Sequence, residues 1–265
     1  MNNAQRNDYI AGCELADCTQ SLAEHVARMS ASAQTTEQPL AVAPPAEAAV
    51  AGGSLVAFAP GMSRQNKDDV LDSFLFATLV ANKAYNPEKN SDLWYRQFNT
   101  VLATLGWLTT NWRYARYQTG QRRLSMDQAG LEIIRSAIAA AALPGPASLA
   151  MLKVAQDAVA ALNSKEGALS LFERQTKTHR GGNFRLASCT ESADGGLEVA
   201  MGAVAFRSRI SVTNVLFWEW NNSDVEIYKG ENYLTLNTRL YGDVRDVVRQ
   251  RLGANAKTAI QEFDI

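Results

Sequence analysis

The sequence predicts an α+β fold, with an N-terminal helical layer packed on a C-terminal antiparallel β-meander and a closing C-terminal helix. Three observations carry that expectation. Apolar residues recur at helical spacing between about residues 68 and 162, short apolar segments separated by turn residues follow Gly181-Gly182, and helical spacing returns after Asn237. Helices first and strands second favour this class over an alternating α/β arrangement. With 265 residues, 46% of them apolar and 20% charged, the chain can bury one good-sized core or two small ones.

Residues 1–60 read as a flexible, acidic, Ala/Pro-rich tail. They hold two basic side chains, Arg6 and Arg28, against six acidic ones, and the stretch QPLAVAPPAEAAVAGGSL is too poor in large apolar residues to offset its ordering entropy. A single domain is expected over 61–265, mainly helical over 61–180, mainly β over 181–236 and helical over 237–265. Its first helix, Asp68 to Ala84, is apolar nearly all round and belongs inside a core. Pro87 interrupts it, and Asn90 or Ser91 caps a second helix whose apolar positions Trp94, Phe98, Val101, Leu105, Leu108, Trp112 and Ala115 alternate spacings of four and three. Ser125-x-x-Gln128 is a capping box for a third helix through Leu131, Ile134 and Ile138. Leu143-Pro-Gly-Pro146 stops it and opens a fourth along Leu152, Ala155, Val159 and Leu162. The strands expected next are NFRLASCTES, LEVAMGAVAF, RISVTNVLFWEW, VEIYK and YLTL, joined at DGG, NNSD and GEN. Asn237 then caps the closing helix through Leu240, Val244, Val248 and Leu252, with Gly253 at its end.

Most catalytic classes find no support. The chain has two histidines, His25 in the tail and His179 in the loop Thr178-His-Arg-Gly-Gly182, so acid/base and triad chemistry lack their commonest participant. A dyad of Cys189 with His179 needs only that the two meet in space, but a loop histidine beside Arg180 reads more simply as solvated. Cys13 and Cys18 lack a second Cys/His pair to complete a metal site. Asp68, Asp69 and Asp72 crowd a helix start, where they complement the helix dipole. No phosphate-binding loop and no nucleophile elbow is present. No catalytic residue, metal or cofactor is therefore expected. Past residue 60 the net charge is +3 and diffuse, which argues against a nucleic-acid partner. The N-terminus has no signal-peptide pattern and no apolar run reaches a spanning length, so cytoplasmic synthesis is expected, with release or membrane association by another route.

Three features bear on membranes. Trp112-Arg-Tyr-Ala-Arg-Tyr117 and Gly120-Gln-Arg-Arg123 bring together Arg113, Arg116, Arg122 and Arg123 with three aromatics and no acid. Such a patch suits phosphate headgroups; equally, arginines gather at a helix C-terminus to meet the negative end of its dipole. Residues 136–152 of the helical hairpin are uncharged, a composition that fits either an interfacial tip or close packing of Ala-rich helices. Cys189 lies in a strand with Arg185, Ala187 and Glu191 on its face; near a turn, its thiol is either reachable and open to acylation or a small buried side chain.

The size, the helical first half and the single cysteine in the β-rich part make residues 65–265 similar to the Erwinia virulence factor family, bacterial insect-virulence proteins with a fatty acyl chain on one cysteine. The resemblance implies a non-enzymatic, virulence- or toxin-like lipoprotein that associates with membrane lipids, with palmitate on Cys189. One acyl chain gives only marginal membrane binding, so a second contact is needed, and Arg113, Arg116, Arg122 and Arg123 are the candidates. The alternative is a soluble protein-protein interaction module without lipid, whose tail engages a host or bacterial protein.

Overall fold

The computed structural model describes residues 1–17, 46–110, 112–118, 123–143, 145–192, 195–221, 225–253 and 258–265. Its central sheet starts where the sequence suggested a tail. Glu47–Ala51 (β1) and Ser54–Phe58 (β2) form a hairpin around Gly52 and Gly53, whose φ values of +56° and +76° suit the two central positions of a tight two-residue turn. Both strands are buried almost throughout. A strand covered on both faces shows no polar alternation, and small residues let two helical layers approach it, so an Ala-rich composition that resembles a tail is here the middle of a sandwich. The tail expected over residues 1–60 therefore does not hold at its C-terminal end. Nor does it hold at Asn3–Gly12, which form α1 with Ile10 fully buried. Residues 18–45 of that expectation, His25 and Cys18 included, lie outside the described residues.

The remaining elements are α2 (Arg64–Ala84), α3 (Ser91–Thr104), β3 (Trp107–Thr109), β4 (Arg113–Arg116), β5 (Arg123–Ser125), α4 (Met126–Ala140), α5 (Gly145–Leu162), α6 (Glu166–Thr176), β6 (Gly181–Glu191), β7 (Leu197–Ser208), β8 (Glu219–Asn221), β9 (Val225–Leu236), α7 (Thr238–Gly242), α8 (Arg245–Leu252) and β10 (Ile260–Asp264). The α+β class holds. The sheet runs β10-β1-β2-β6-β7-β9, with β3 and β4 both paired to β9, and β2 lies parallel to β6. It is thus a mixed sheet in which β2–β6 is the one parallel pair among the described residues, and β6-β7-β9 are three antiparallel strands of the expected meander. Because side chains alternate along a strand, each strand feeds two cores. Ala49, Val56, Ala187, Val199 and Leu234 meet α2, α3 and α8 on one face, while Val50, Leu55, Leu186, Ala200 and Tyr233 meet α4, α5 and α6 on the other. Helices cover both faces, where the sequence suggested one helical layer.

Four local departures have physical causes. The second helix stops at Thr104 rather than Ala115, because Gly106 takes φ +102° and the Trp107–Thr109 segment that follows pairs with β9. Leu108 and Trp112, apolar positions of the expected helix, are exposed. Residues 209–218 of the expected strand RISVTNVLFWEW pack over the second core without joining the sheet, since β7 already has β6 and β9 as neighbours. The GEN segment is no turn: Gly230 lies within β9, where an added Cβ would sit 2.4 Å from the Tyr95 ring. Finally, the closing helix is split into α7 and α8, and β10 follows it to pair with β1.

Buried polar groups tie these layers together. Arg185, 1% exposed, donates its backbone N–H to the Gly53 carbonyl at 3.0 Å and its Nε to Ser54 Oγ at 2.8 Å, with Nη2 reaching Thr78 Oγ1 at 3.3 Å and the Gly52 carbonyl. Its guanidinium lies over the rings of Trp94 and Phe98, at 4.8 and 5.1 Å from their centroids. Burial lowers its pKa to about 9, so it remains a cation at neutral pH and pins the β1–β2 turn through neutral oxygens. The aspartates of α2 lie beyond the first turn, since the helix begins at Arg64, and hold α8: Arg245 bridges Asp69 at 2.8 and 2.7 Å, and Arg249 meets Asp72 at 3.1 Å. Ion pairs, rather than the helix dipole, account for that cluster.

Candidate functional site

Strand alternation separates two of the sequence's candidate arginines. Arg113 and Arg116 stand three residues apart on β4, so they project from opposite sides, and both are exposed. Arg122 lies outside the described residues, and Arg123 is placed by its backbone in β5, opposite Asn221 of β8. Arg113 and Arg116 therefore share no face, and the segment that carries them is a strand rather than a helix C-terminus. Arg116 instead joins a different set of cations.

That set surrounds one end of the sheet, where β6 and β9 begin and β4 and β7 end, closed on one side by the loop between α2 and α3. Two contiguous clefts, about 360 and 680 Å³, share Glu88, Lys89, Arg116, Arg207 and Glu226. The larger is also lined by His179, Arg180 and Arg209, so five cations face two carboxylates. Glu88 organises them. Its carboxylate accepts the backbone N–H groups of His179 and Arg180, each at 3.1 Å, and its carbonyl oxygen accepts both Nε and Nη2 of Arg207. Arg116 and Glu226 form a loose, exposed pair at 3.9 Å, an arrangement that contributes little. The side chains of Lys89, Arg180 and Arg209 have no hydrogen-bonded or ion-paired acceptor among the described residues.

An aromatic ladder backs the smaller cleft. Trp112 stacks on Tyr95 at 6.1 Å, Tyr95 meets Tyr114 at 5.4 Å, and Tyr114 stacks on Tyr228 at 5.9 Å. Burial pushes the Tyr114 phenol up to about 12, so it stays a neutral donor to Ser91 Oγ at 2.7 Å. At the outer end Arg96 lies over the half-exposed Trp112 ring at 6.0 Å. Ile210 follows the cleft residue Arg209 in the chain and is 56% exposed.

Cys189 is elsewhere. It is fully buried in the first core, with Phe58 and Val199 as its strand neighbours, and burial raises its thiol pKa far above the usual range. Neither cleft is lined by it. Of the sequence's two readings for this residue, the small buried side chain describes the folded state. The loop bearing His179 lies at the basic cleft, and Cys189 in the core. Of the uncharged stretch 136–152, Ile138 and Met151 lie in the second core, while most of the described residues between them are exposed, Leu149 among them. Among the described residues no helix is long and apolar enough to cross a membrane.

Comparison with known proteins adds two distant structural likenesses. No family model and no curated protein matches the chain. A solved structure titled delta-endotoxin is similar at a TM-score of 0.39 with 11% identity, covering 77% of this chain and 90% of its own. The structure of the Evf virulence factor is similar at 0.31 with 13% identity, covering 84% and 85%. The second comes from the family that the sequence resembles, but at TM-scores this low neither likeness carries weight for the fold or the function of this chain.

Apart from Arg116, the cleft cations were missed in the sequence, because the lining comes from five separate segments. Only the Arg207-Ser-Arg209-Ile210 run gave a local signal, two cations one residue apart at a strand end.

Proposed function

We propose that this chain is a non-enzymatic protein of virulence or toxin-like type that attaches to anionic membrane surfaces through the basic cleft. The observation that carries this reading is the set of five cations around one concavity, three of them without an acceptor among the described residues. A phosphate-rich surface supplies the missing acceptors, and Ile210 beside Arg209 is placed to enter the acyl boundary as they engage. An acyl chain on Cys189 would have to be attached before the sheet closes over the thiol, so on this reading reversible attachment rests on charge.

Each basic side chain near an anionic leaflet contributes about 1 kcal/mol. Removing two of them, as in Arg180→Gln/Arg209→Gln, should weaken binding roughly thirtyfold. Co-sedimentation with phosphatidylserine-containing vesicles should show this loss, with wild-type binding falling as salt is raised. Equal binding to neutral phosphatidylcholine vesicles, or an unchanged double variant, would overturn the reading.

A further inference from the structure

We propose that the larger cleft is a binding site for a phosphomonoester that projects from its carrier, either a phosphorylated lipid headgroup or the same group free in solution. This inference rests on the membrane reading for its lipid source, and goes beyond it in naming the ligand's chemistry. Concavity is the first argument. A planar bilayer surface cannot follow the walls of a cleft of about 680 Å³, so the groups that reach Arg116, Arg180, Arg207 and Arg209 must stand above that plane. The volume lies in the range of small-molecule sites, large enough for a phosphorylated ring.

Charge and donor geometry are the second. Five cations against two carboxylates leave a surplus that a singly charged phosphodiester balances poorly and a phosphomonoester, with up to two charges and three terminal oxygens, balances well. The Glu88 carboxylate is oriented by the N–H groups of His179 and Arg180, one on each oxygen, and pairs with no cationic side chain among the described residues. Arg207 is held by Nε and Nη2 on the Glu88 carbonyl, which fixes the guanidinium plane and leaves Nη1 free to donate. Arg180 and Arg209 flank it, since Ser208 N–H donates to the Arg180 carbonyl at 2.6 Å and so joins the two segments that carry them. The site is pre-formed on the side of Arg207 and Glu88, and Lys89, Arg180 and Arg209 are the side chains that close on the ligand.

The test uses the full chain with two probes. Vesicles containing a phosphoinositide with one ring phosphate are compared with phosphatidylserine vesicles at matched surface charge, and inositol trisphosphate is titrated calorimetrically. At least tenfold tighter binding to the phosphoinositide, competed by inositol trisphosphate, is expected, with both signals lost in Arg180→Gln/Arg209→Gln and retained in Arg113→Gln, which lies outside the cleft. Inositol trisphosphate binding without vesicle binding supports the phosphomonoester site, assigns it a soluble ligand, and overturns the membrane reading alone. Equal binding to the two vesicle types without inositol trisphosphate binding overturns the phosphomonoester site and leaves membrane attachment standing. Binding to neither probe overturns both. Circular dichroism of each variant separates loss of the site from loss of the fold.

Discussion

Replacing Arg185 tests whether a buried cation or its packing holds the first core together. The guanidinium is fully enclosed, and its acceptors among the described residues are the neutral oxygens Ser54 Oγ, Thr78 Oγ1 and the Gly52 carbonyl. Thr78 Oγ1 also donates to the Phe74 carbonyl at 2.8 Å, so it stays bonded in a variant, whereas Ser54 Oγ and the Gly52 carbonyl lose this donor. Two such losses cost about 1–3 kcal/mol each, and losing the contact with Trp94 and Phe98 costs about 2 more. Against this, a desolvated ion is removed, which returns several kcal/mol. In Arg185→Met, which keeps an unbranched chain over the two rings, these terms nearly cancel, and stability should stay within about 2 kcal/mol of the native protein. Arg185→Ala adds an unfilled space, and should be less stable than Arg185→Met by about 2–5 kcal/mol. Urea unfolding followed by tryptophan fluorescence measures both, because Trp94 lies directly against the site. If Arg185→Met loses as much as Arg185→Ala, the cation stabilises the fold outright and the desolvation argument is wrong.

Two further outcomes follow from buried groups. Burial raises the Asp72 carboxyl against the opposing pull of Arg249, so its protonated form contributes stability that is fully present below the ordinary aspartate value of about 4 and is lost as pH rises through the raised folded value. The stability of the native protein relative to Asp72→Asn should therefore decline as pH rises across that acid range, and parallel pH profiles for the two would contradict the assignment. Cys189 should resist alkylation in the folded protein and react once urea opens the first core, as read by mass mapping of its peptide; labelling under native conditions as fast as that of the half-buried Cys13 would show that the thiol is reached without unfolding.

How far the sequence could be read depended on how local each signal was. The Ser125 capping box is complete within four residues, and the structure keeps its contact from Ser125 N–H to Gln128 Oε1 at 3.3 Å. The apolar run of α2 needed no partner to be recognised as a core helix, and Phe74, Leu75, Phe76 and Ala77 are all fully buried. The period of α3 was legible through Leu105, but its continuation to Ala115 was not, because the residues after Gly106 are ordered by pairing with β9, more than 100 positions away. The same holds for β1 and β2. Their Gly-Gly turn flanked by short apolar runs is a hairpin signal on its own, and it was outweighed by an alanine content that makes sense only once helices on both faces and the parallel partner β6 are in place.

The site differs from the fold in the reason it was hidden. Its cations come from the α2–α3 loop, β4, the loop before β6, the end of β7 and the residue just past it, and no short window holds more than two of them. Arg113, Arg116, Arg122 and Arg123 cluster along the chain, but strand alternation sets Arg113 and Arg116 on opposite sides. What assembles the real cluster is a single acid. Glu88 uses its carboxylate on one loop and its carbonyl on Arg207, so one residue fixes two of the segments that bear cations without pairing its carboxylate to any of their side chains. A carboxylate that bonds backbone N–H groups rather than the cationic side chains around it acts as a brace, and on that ground the surplus positive charge is read as a binding surface rather than as unpaired solvated side chains.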